Sequence, residues 1–414
     1  MADKYNLRSD ADIIIKESIA AVLPDEAVKK ALEGKDFSEG RVFLVAAGKA
    51  GWQMAKAASE LLKDNLYKGV VVTKYDHVKG DILNTQCFEA GHPVPDENSF
   101  LATQKAIDLV SEVTANDTVI FLLSGGGSAL FEKPLVSGEE LADITKQLLS
   151  CGADIVEMNT VRKRLSAVKG GKFAKLCEPA KVFSIVLSDI LGDPLDMIAS
   201  GPAYPDSSSC DQALAIAEKY RLKLSDEALA CLKKETPKEL KNVETMITGS
   251  VSNLCQACAD SCLKLGYEPV ILTDMLTCEA KEAGAFLSAI AKTWAKSDKS
   301  MAFIAGGETV VHLKGNGKGG RNQEIALSAA EGIAGIPNVA VFSVGSDGTD
   351  GPCDAAGGFT DGSSKENLLK KGVLIYDVLN NNDAYNALKL TDGLIITGAT
   401  GTNVNDVSVV LIKA

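Results

Sequence analysis

TVIFLLSGGGSAL, from Thr118 to Leu130, is an apolar run that enters a glycine loop and then a helix. The apolar part has the length of a parallel strand that is buried on both faces. The loop, Ser124-Gly125-Gly126-Gly127-Ser128, offers bare backbone amides flanked by two hydroxyls. A strand that feeds a helix through such a loop places ligands at the carboxyl end of a parallel sheet.

A second strand, loop and helix of this kind lies nearer the N-terminus, in VFLVAAGKAGWQMAKAASELL, from Val42 to Leu62. Here Gly48 and Lys49 stand between an apolar run and an amphipathic helix. Taken alone, a Gly-Lys pair is weak evidence, because lysines are common in surface turns. Its recurrence beside other strand–loop–helix segments favours a functional loop.

The strongest single motif is GNGKGGRNQEIALSAA, from Gly315 to Ala330, with four glycines in six residues. Lys318 lies among the glycines and Arg321 follows them, at the start of a helix-forming run. Glycines allow amides to converge on an anion, and the helix contributes its positive end. The motif therefore predicts a phosphate site. The alternative is a glycine-rich turn that carries two solvated charges.

Strands and helices alternate along most of the chain, which predicts an α/β fold with parallel sheets covered on both faces. One helix is expected over about residues 12–32. The charged stretch RLKLSDEALACLKKETPKELKN, from Arg221 to Asn242, is the predicted passage between two domains. We place the boundary after residue 225, giving a Rossmann-like domain at 1–225 and a second α/β domain at 226–414.

Composition narrows the classes of function. The 414 residues are 46% hydrophobic and carry a formal charge of −12, which argues against a nucleic-acid partner. No apolar segment approaches the roughly 20 residues that span a bilayer, and the N-terminus lacks a hydrophobic signal segment. A cytoplasmic protein is expected. The ten cysteines are expected to be free thiols, and the cluster Cys255, Cys258 and Cys262 is expected to pack in the core rather than to bind zinc.

Carboxylates follow several predicted strands. Asp189 ends the strand in SIVLSDILGDPLD, and Glu308 follows Gly306-Gly307. Hard carboxylates near a phosphate site suit Mg²⁺, which also binds substrate phosphates and water. In GSDGTDG the alternative is that Asp347 and Asp350 only cap turns or a helix.

NTVRKRLSAVKGGKFA, residues 159–174, predicts a helix whose basic residues, Arg162, Lys163 and Arg164, are solvated. The alternative is that polar residues of this segment face a cleft, with Asn159, Ser166 and Lys169 as the candidates. His92, in the stiff loop AGHPVPDENS, is interpreted as structural.

Together these segments resemble the class II glycerate kinases, the glycerate 2-kinases whose C-terminal half is known as the MOFRL domain. The resemblance runs from Gly48 to Asp406 and rests on long motifs, among them GHPVPDENS, LSDILGDPLDMIASGPAYPD, GGETVVHLKGNGKGGRNQE and TGATGTNVND. It implies two α/β domains with the active site in the cleft between them, and ATP-dependent phosphorylation of D-glycerate. It also implies that Lys49 and Arg321 are catalytic and that the 2-hydroxyl is the acceptor. Ala399, Ser346 and Arg164 depart from the family pattern, which bears on loop rigidity rather than on the reaction.

The residue patterns and the resemblance agree on phosphoryl transfer, which requires positioned oxygens and dispersed negative charge. We predict ATP as co-substrate with Mg²⁺, D-glycerate as acceptor, and a monomer or small homo-oligomer. The alternatives are a kinase of another small hydroxy acid, a dinucleotide-dependent hydroxy-acid dehydrogenase, and a non-catalytic sensor of phosphorylated metabolites. A dehydrogenase is disfavoured because no G-x-G-x-x-G joins a strand to a helix. The predicted site residues are Lys49, Arg321 and Asp189 for catalysis, Asp189 and Glu308 for metal, and Ser124, Gly125, Gly126, Gly127, Ser128, Lys318, Gly319, Gly320 and Asn322 for the nucleotide and its phosphates.

Overall fold

Residues 6–414 are described in a computed structural model and form two compact units. The N-terminal unit comprises residues 24–188 and 193–248, and the C-terminal unit comprises residues 6–23, 189–192 and 249–414. Residues 225 and 226, on either side of the predicted boundary, both lie in the N-terminal unit. Residues 1–5, at the start of the predicted domain 1–225, lie outside the described residues.

The helices and strands follow one another in α/β order. The helices are α1 (Leu7–Ala21), α2 (Pro24–Leu32), α3 (Gly51–Leu62), α4 (Glu97–Val110), α5 (Gly127–Leu130), α6 (Gly138–Ser150), α7 (Ile155–Leu165), α8 (Lys172–Leu176), α9 (Cys210–Lys219), α10 (Asp226–Leu232), α11 (Val251–Lys264), α12 (Ala280–Trp294), α13 (Arg321–Ile333), α14 (Ser364–Lys370), α15 (Ile375–Asn380) and α16 (Ala384–Leu390). The strands are β1 (Val42–Ala47), β2 (Leu66–Lys74), β3 (Thr85–Ala90), β4 (Thr118–Leu123), β5 (Lys181–Leu187), β6 (Val243–Gly249), β7 (Glu268–Leu276), β8 (Met301–Gly307), β9 (Val339–Gly345), β10 (Gly357–Asp361), β11 (Leu394–Ile395) and β12 (Asp406–Ile412).

The sheet of the N-terminal unit has the strand order β3-β2-β1-β4-β5-β6. Strands β3, β2, β1, β4 and β5 pair in parallel. From β1 the chain continues to β2 and β3 on one side of the sheet, whereas from β4 it continues to β5 and β6 on the other side. The loops that follow β1 and β4 therefore lie side by side at the point where the strand order reverses, which is where doubly wound sheets bind ligands.

Alternation of side chains explains why β1 and β4 are apolar throughout. In β1, Phe43, Val45 and Ala47 belong to one core cluster, while Val42, Leu44 and Ala46 belong to another. β4 divides its side chains between the same two clusters. Because helices cover both faces of the sheet, every position must be apolar.

The sheet of the C-terminal unit has the order β11-β10-β9-β12-β8-β7. β7 and β8 are parallel, whereas β12 is antiparallel to both β8 and β9, and β10 is antiparallel to β9 and β11. Four of the six strands thus share one direction, and β10 and β12 are reversed. These two strands depart from the predicted parallel arrangement because each follows a loop of irregular structure rather than a crossover helix. The α/β class itself, with helices flanking two sheets, is confirmed.

The helix predicted over residues 12–32 is wrong as a single element. α1 ends at Ala21, and Pro24 begins α2 as its first residue. Proline lacks the amide that would continue α1, but it suits the first position of a helix. α1 then packs with α11 of the C-terminal unit, whereas α2 belongs to the N-terminal unit.

The predicted core cysteines are confirmed. Cys255, Cys258 and Cys262 lie on α11, and each is fully buried as a free thiol. Burial raises the pKa of the Cys258 thiol to about 12, so it stays protonated. Among residues 6–414, no helix is long and apolar enough to cross a membrane.

Candidate active site

The loops after β1 and β4 are joined by backbone hydrogen bonds. The amide of Lys49 donates to the Gly125 carbonyl at 2.9 Å, and the amide of Ala50 donates to Ser124 Oγ at 3.1 Å. Gly48 has a φ of +125°, and a Cβ there would lie 2.2 Å from Ser124 Oγ. Only glycine allows this approach. The structure therefore brings Lys49 to the SGGGS loop.

The amides of Gly125 and Gly126 have no hydrogen-bond acceptor among residues 6–414. A Cβ on Gly126 would lie 2.9 Å from His92 Cδ2 and 3.2 Å from Lys49 Cγ. Lys49, which is exposed, therefore stands beside two adjacent amides that can donate to an anion. Burial, with the charges of Lys49 and Lys74, lowers the pKa of His92, so the imidazole is neutral near pH 7.

The basic helix α7 is not solvated as predicted. Lys163 and Arg164 are 2% and 1% exposed, and both face the buried carboxylate of Asp206. Lys163 Nζ lies 3.0 Å from Asp206 Oδ1, and Arg164 also donates to Ser208. Their charges can be buried because they are paired and hydrogen-bonded. The partner lies more than forty residues further along the chain, so the local sequence does not reveal it.

The alternative polar residues of this segment are buried as well. Asn159, Ser166 and Lys169 are each less than 5% exposed, and Lys169 forms an ion pair with the fully buried Glu132. Burial lowers the pKa of Lys169 to about 8, although Glu132 opposes the shift. Asn159 alone reaches the SGGGS loop, through hydrogen bonds that pass along Ser200 to Ser128.

In the C-terminal unit, Arg321 begins α13 and is held by two carboxylates. Its Nε and Nη2 donate to Asp406 at 2.5 and 3.2 Å, and its Nη1 donates to Glu308 at 2.9 Å. Glu308 follows β8 and Asp406 begins β12, where antiparallel pairing places Asp406 opposite Gly307. Hydrogen bonds from Nε, Nη1 and Nη2 thus fix the orientation of the guanidinium, and one third of the side chain remains exposed.

Burial dominates the titration of Asp406. It raises the pKa of this carboxyl to about 6, even though Arg321 favours the charged form. Burial alone would lower the pKa of Arg321, but its hydrogen bonds and charge interactions with Asp406 and Glu308 raise it. Arg321 is therefore a permanent cation.

The glycine loop that precedes Arg321 is held from outside by Asn381, Asn382 and Asp383. The amides of residues 314–318 all donate to these three residues, for example Lys318 to Asp383 at 2.9 Å. The amides of Gly319 and Gly320 have no acceptor among the described residues. The part of the loop that can bind an anion is thus narrower than the motif predicts. Lys318 Nζ lies 4.2 Å from the centre of the Tyr385 ring.

The alternative interpretation of the GSDGTDG segment is confirmed. Asp350 is buried and accepts from the amides of Asn322 and Gln323 at 3.1 and 2.9 Å, so it caps α13. Asp347 accepts from the amide of Thr349 and closes a turn. The side chain of Asn322 points inward, where its carbonyl oxygen accepts from Ser343 Oγ.

The predicted metal ligands lie on different segments. Glu308 is exposed but engaged by Arg321, and Asp189 is half-buried in the segment 189–192, which belongs to the C-terminal unit. Within residues 6–414, no three or more histidine, cysteine or acidic side chains form a group that could hold a metal. A divalent ion would accordingly need most of its ligands from a phosphate and water, as Mg²⁺ commonly does.

Sequence reasoning missed two residues of this arrangement. Asp406 fixes Arg321 but stands 85 positions away in the chain. Ser200 lies within the motif ASGP, in a short turn of 3-10 helix at Ile198–Ser200, and nothing in its local sequence marks it as a neighbour of Ser128. His92 was interpreted as structural, and the structure places its ring beside Lys49 and Gly126.

The class of protein that the fold defines is an α/β protein whose two sheets are flanked by helices, with glycine loops after β1 and β4 and before α13. A model of a domain of unknown function, DUF4147, matches residues 10–233, and the MOFRL family model matches residues 301–406. The chain is 52% identical to the D-glycerate 2-kinase of Thermotoga maritima, over 100% of both chains. It is 38% identical to a putative hydroxypyruvate reductase of Agrobacterium vitis, over 90% of this chain and 100% of that protein.

The crystal structure of glycerate kinase from Thermotoga maritima matches with a TM-score of 0.93, covering 98% of this chain and 99% of that one. Its sequence identity to this chain is 52%. The chain belongs to the class II glycerate kinase family, whose members carry the MOFRL domain.

Proposed function

We propose that this protein transfers the γ-phosphoryl group of ATP to D-glycerate, most directly to its 2-hydroxyl, giving 2-phospho-D-glycerate. The observation that carries the proposal is the pair of glycine loops, each with a cation and two adjacent amides that find no acceptor within residues 6–414. Family membership supports the substrate class and the position of transfer.

Lys49 and Arg321 stabilise the charge of the transferring phosphoryl group. Phosphoryl transfer places few covalent demands on the protein, so fixed cations and amide donors supply most of the catalysis. Arg321 is suited to this because Asp406 and Glu308 hold its fork in place before the substrate binds. Lys49 belongs to the N-terminal unit and Arg321 to the C-terminal unit.

The phosphates of ATP are received by backbone amides. The loop at residues 124–128 offers Gly125 and Gly126, and the loop at residues 315–320 offers Gly319 and Gly320. Lys318, fixed over Tyr385, adds a positive charge to the second loop. This replaces the Walker motif, which the sequence lacks.

Asp189 would be the first choice of protein ligand for a Mg²⁺ ion that accompanies ATP. Mg²⁺ in nucleotide sites is bound by one or two carboxylates together with phosphate oxygens and water. Glu308 is the second choice of metal ligand, because its carboxylate would have to bind the metal while it also accepts a hydrogen bond from Arg321. The ion supplies charge neutralisation at the β- and γ-phosphates.

The test is ATP consumption by the purified protein with D-glycerate, glycolate and D-lactate in parallel. D-Glycerate should give the highest kcat/KM, and omission of Mg²⁺ should abolish turnover. Use of another hydroxy acid in preference to D-glycerate would contradict the substrate assignment. The same protein should not oxidise NADH or NADPH with hydroxypyruvate, the reaction that the name of the Agrobacterium vitis relative suggests.

A cytoplasmic location and a monomer or small homo-oligomer complete the proposal. The charge of −12 fits a protein that works on small metabolites rather than on nucleic acid. Light scattering coupled to size-exclusion chromatography measures the mass of the particle against the 43.5 kDa of one chain.

A further inference from the structure

A chain of hydrogen bonds runs from Ser128 through Ser200 to Asn159, and the donor in each bond can be assigned. Ser200 Oγ donates to the amide oxygen of Asn159 at 2.9 Å, and the two serine oxygens of Ser200 and Ser128 are 3.0 Å apart. An amide oxygen can only accept, so the hydroxyl hydrogen of Ser200 is committed to Asn159. Ser128 must therefore donate to Ser200, which leaves Ser128 Oγ only lone pairs for any further partner.

The direction of these hydrogen bonds depends on which way the side-chain amide of Asn159 is turned. The atoms around the amide determine that orientation. The amide nitrogen faces the thioether sulfur of Met197 at 3.9 Å, and sulfur is a weak acceptor. The flipped amide would place an oxygen against that sulfur, where neither atom has a hydrogen to donate. Asn159 is 4% exposed, so water does not offer a substitute partner.

Both serines are held in place by their backbones. Ser200 is fully buried, its φ is +61°, and it follows Ala199 with a φ of +51°. Non-glycine residues in this region cost on the order of 1–3 kcal/mol each and persist only where the surroundings impose them. The Gly170 amide donates to the Ser200 carbonyl at 3.0 Å, and Arg162 donates to the Ser128 carbonyl at 3.2 Å.

Ser128 itself is half-buried and ends the glycine loop that carries the free Gly125 and Gly126 amides. Resting on the proposed function, we propose that Ser128 Oγ accepts a hydrogen bond from the hydroxyl of the substrate that is not phosphorylated. Ser200 and Asn159 act as positioning residues that keep Ser128 an acceptor. For transfer to the 2-hydroxyl, the hydroxyl recognised by Ser128 is the 3-hydroxyl.

The chemistry of the chain excludes the reacting hydroxyl as its partner. The nucleophilic hydroxyl must lose its proton during transfer, and the chain ends at the neutral amide of Asn159, which cannot take one. A carboxylate or phosphate oxygen is excluded as well, because it has no hydrogen to give to Ser128. The arrangement thus selects a donor that keeps its hydrogen, and on D-glycerate the hydroxyl that is not phosphorylated is that donor, which makes Ser128 a specificity residue rather than a phosphate ligand.

The experiment compares D-glycerate with D-lactate, which has a methyl group in place of the hydroxymethyl group. The KM for D-glycerate and the inhibition constant of D-lactate are measured for wild type, Ser128→Ala, Ser128→Thr and Ser200→Ala. In Ser128→Ala the KM for D-glycerate should rise about tenfold, as expected for loss of one hydrogen bond. The D-lactate constant should change less than twofold, and kcat and the KM for ATP should stay near wild type.

Ser128→Thr keeps the hydroxyl and should restore the wild-type KM. Ser200→Ala should give an intermediate KM, because Ser128 is then free to turn its hydrogen toward the substrate. Ser150→Ala serves as the control, since this exposed serine only bonds the carbonyl of Lys146 within α6. Circular dichroism and thermal unfolding establish that each variant is folded.

Two results would overturn the proposal. One is an unchanged KM for D-glycerate in Ser128→Ala; the other is a raised KM for ATP, which would make Ser128 a phosphate ligand. Failure of the proposed function looks different, because wild-type protein would then consume no ATP with D-glycerate, and the assignment of Ser128 would fall with it.

Discussion

Arg321 shows how a reactive cation is prepared before any substrate arrives. Asp406 takes the Nε edge of the fork and Glu308 takes Nη1, so the guanidinium has little freedom left. A lysine at this position would offer one point charge and could not hold both carboxylates. The structure therefore predicts a strict requirement for arginine.

Replacing Arg321 by alanine should lower kcat and kcat/KM together by about 100- to 1,000-fold, the range for preorganised electrostatic groups. Arg321→Lys should be nearly as impaired, because the fork is lost. Lys49→Ala should behave like Arg321→Ala. Lys56→Ala is the matched control, since this half-buried lysine lies on α3, where it pairs with Glu60. If KM alone rises in the first three variants, both cations bind the ground state and the catalytic assignment is wrong.

The buried carboxyl of Asp406 should make both the stability and the activity of the protein depend on pH. Its pKa of about 6 lies above its ordinary value near 4, so between these values the native state binds a proton that the unfolded state has released. The contribution of this group to stability therefore falls as the pH rises through that window. Activity should instead rise as the pH rises through this window, because only the ionised Asp406 carboxylate fixes the charged guanidinium of Arg321.

We therefore expect kcat/KM to decline as the pH drops below about 6. Asp406→Asn should lower kcat/KM at pH 8 and remove this acidic limb from the profile. A limb that is unchanged in Asp406→Asn would assign it to another group, such as the phosphates of ATP.

Asp189→Asn tests the metal assignment. Loss of one carboxylate ligand should raise the Mg²⁺ concentration needed for half-maximal activity, while thermal unfolding stays near wild type. The measurement is a Mg²⁺ titration at fixed ATP. An unaltered Mg²⁺ requirement would return Asp189 to a structural role at the end of β5.

Among the structural elements, the SGGGS loop depends on the absence of side chains at its glycines. Gly126 and Gly152 share positive φ values of +83° and +73°, but a Cβ on Gly152 meets nothing within 4 Å. Each substitution by alanine should cost about 1–2 kcal/mol of stability through the left-handed backbone. Only Gly126→Ala also crowds His92 and Lys49.

Gly126→Ala should consequently lower kcat/KM by about 100-fold, the scale of effect seen when a catalytic group is displaced. Gly152→Ala should keep near-wild-type kinetics with a similar loss of thermal stability. Steady-state assays paired with calorimetry measure both quantities. Equal kinetics in the two variants would show that the contacts of Gly126 with Lys49 do not matter to the reaction.

Sequence periodicity was sufficient for β1 and β4 and the loops that follow them, because each of these two strands enters a helix directly through its glycine loop. It was insufficient for β12, which inserts antiparallel between β8 and β9 after a loop and carries Asp406 to the sheet end. The burial of Lys163 escaped prediction for a similar reason, since its partner Asp206 is distant in sequence. Local patterns predict elements and glycine loops, whereas charge pairing depends on tertiary contacts.

Each of the two units carries one of the proposed catalytic cations, Lys49 in the N-terminal unit and Arg321 in the C-terminal unit. D-Glycerate together with a non-hydrolysable ATP analogue should slow amide exchange in both glycine loops, residues 124–128 and 315–321. The exposed loop at residues 150–153 provides an internal reference. Protection confined to one unit would mean that the other does not take part in binding, and would contradict the joint role of Lys49 and Arg321.

The central claim is the transfer of phosphate from ATP to the 2-hydroxyl of D-glycerate. Phosphorus NMR of a reaction that contains purified protein, Mg²⁺, ATP and D-glycerate tests it most directly, because the chemical shift and its coupling to hydrogen identify the esterified carbon. We expect ADP and 2-phospho-D-glycerate in equal amounts, with the phosphorus signal of the product split into a doublet by the single hydrogen on C2. A 3-phosphoglycerate signal, with coupling to two hydrogens, would contradict the position of transfer, and an unchanged ATP spectrum would contradict the function.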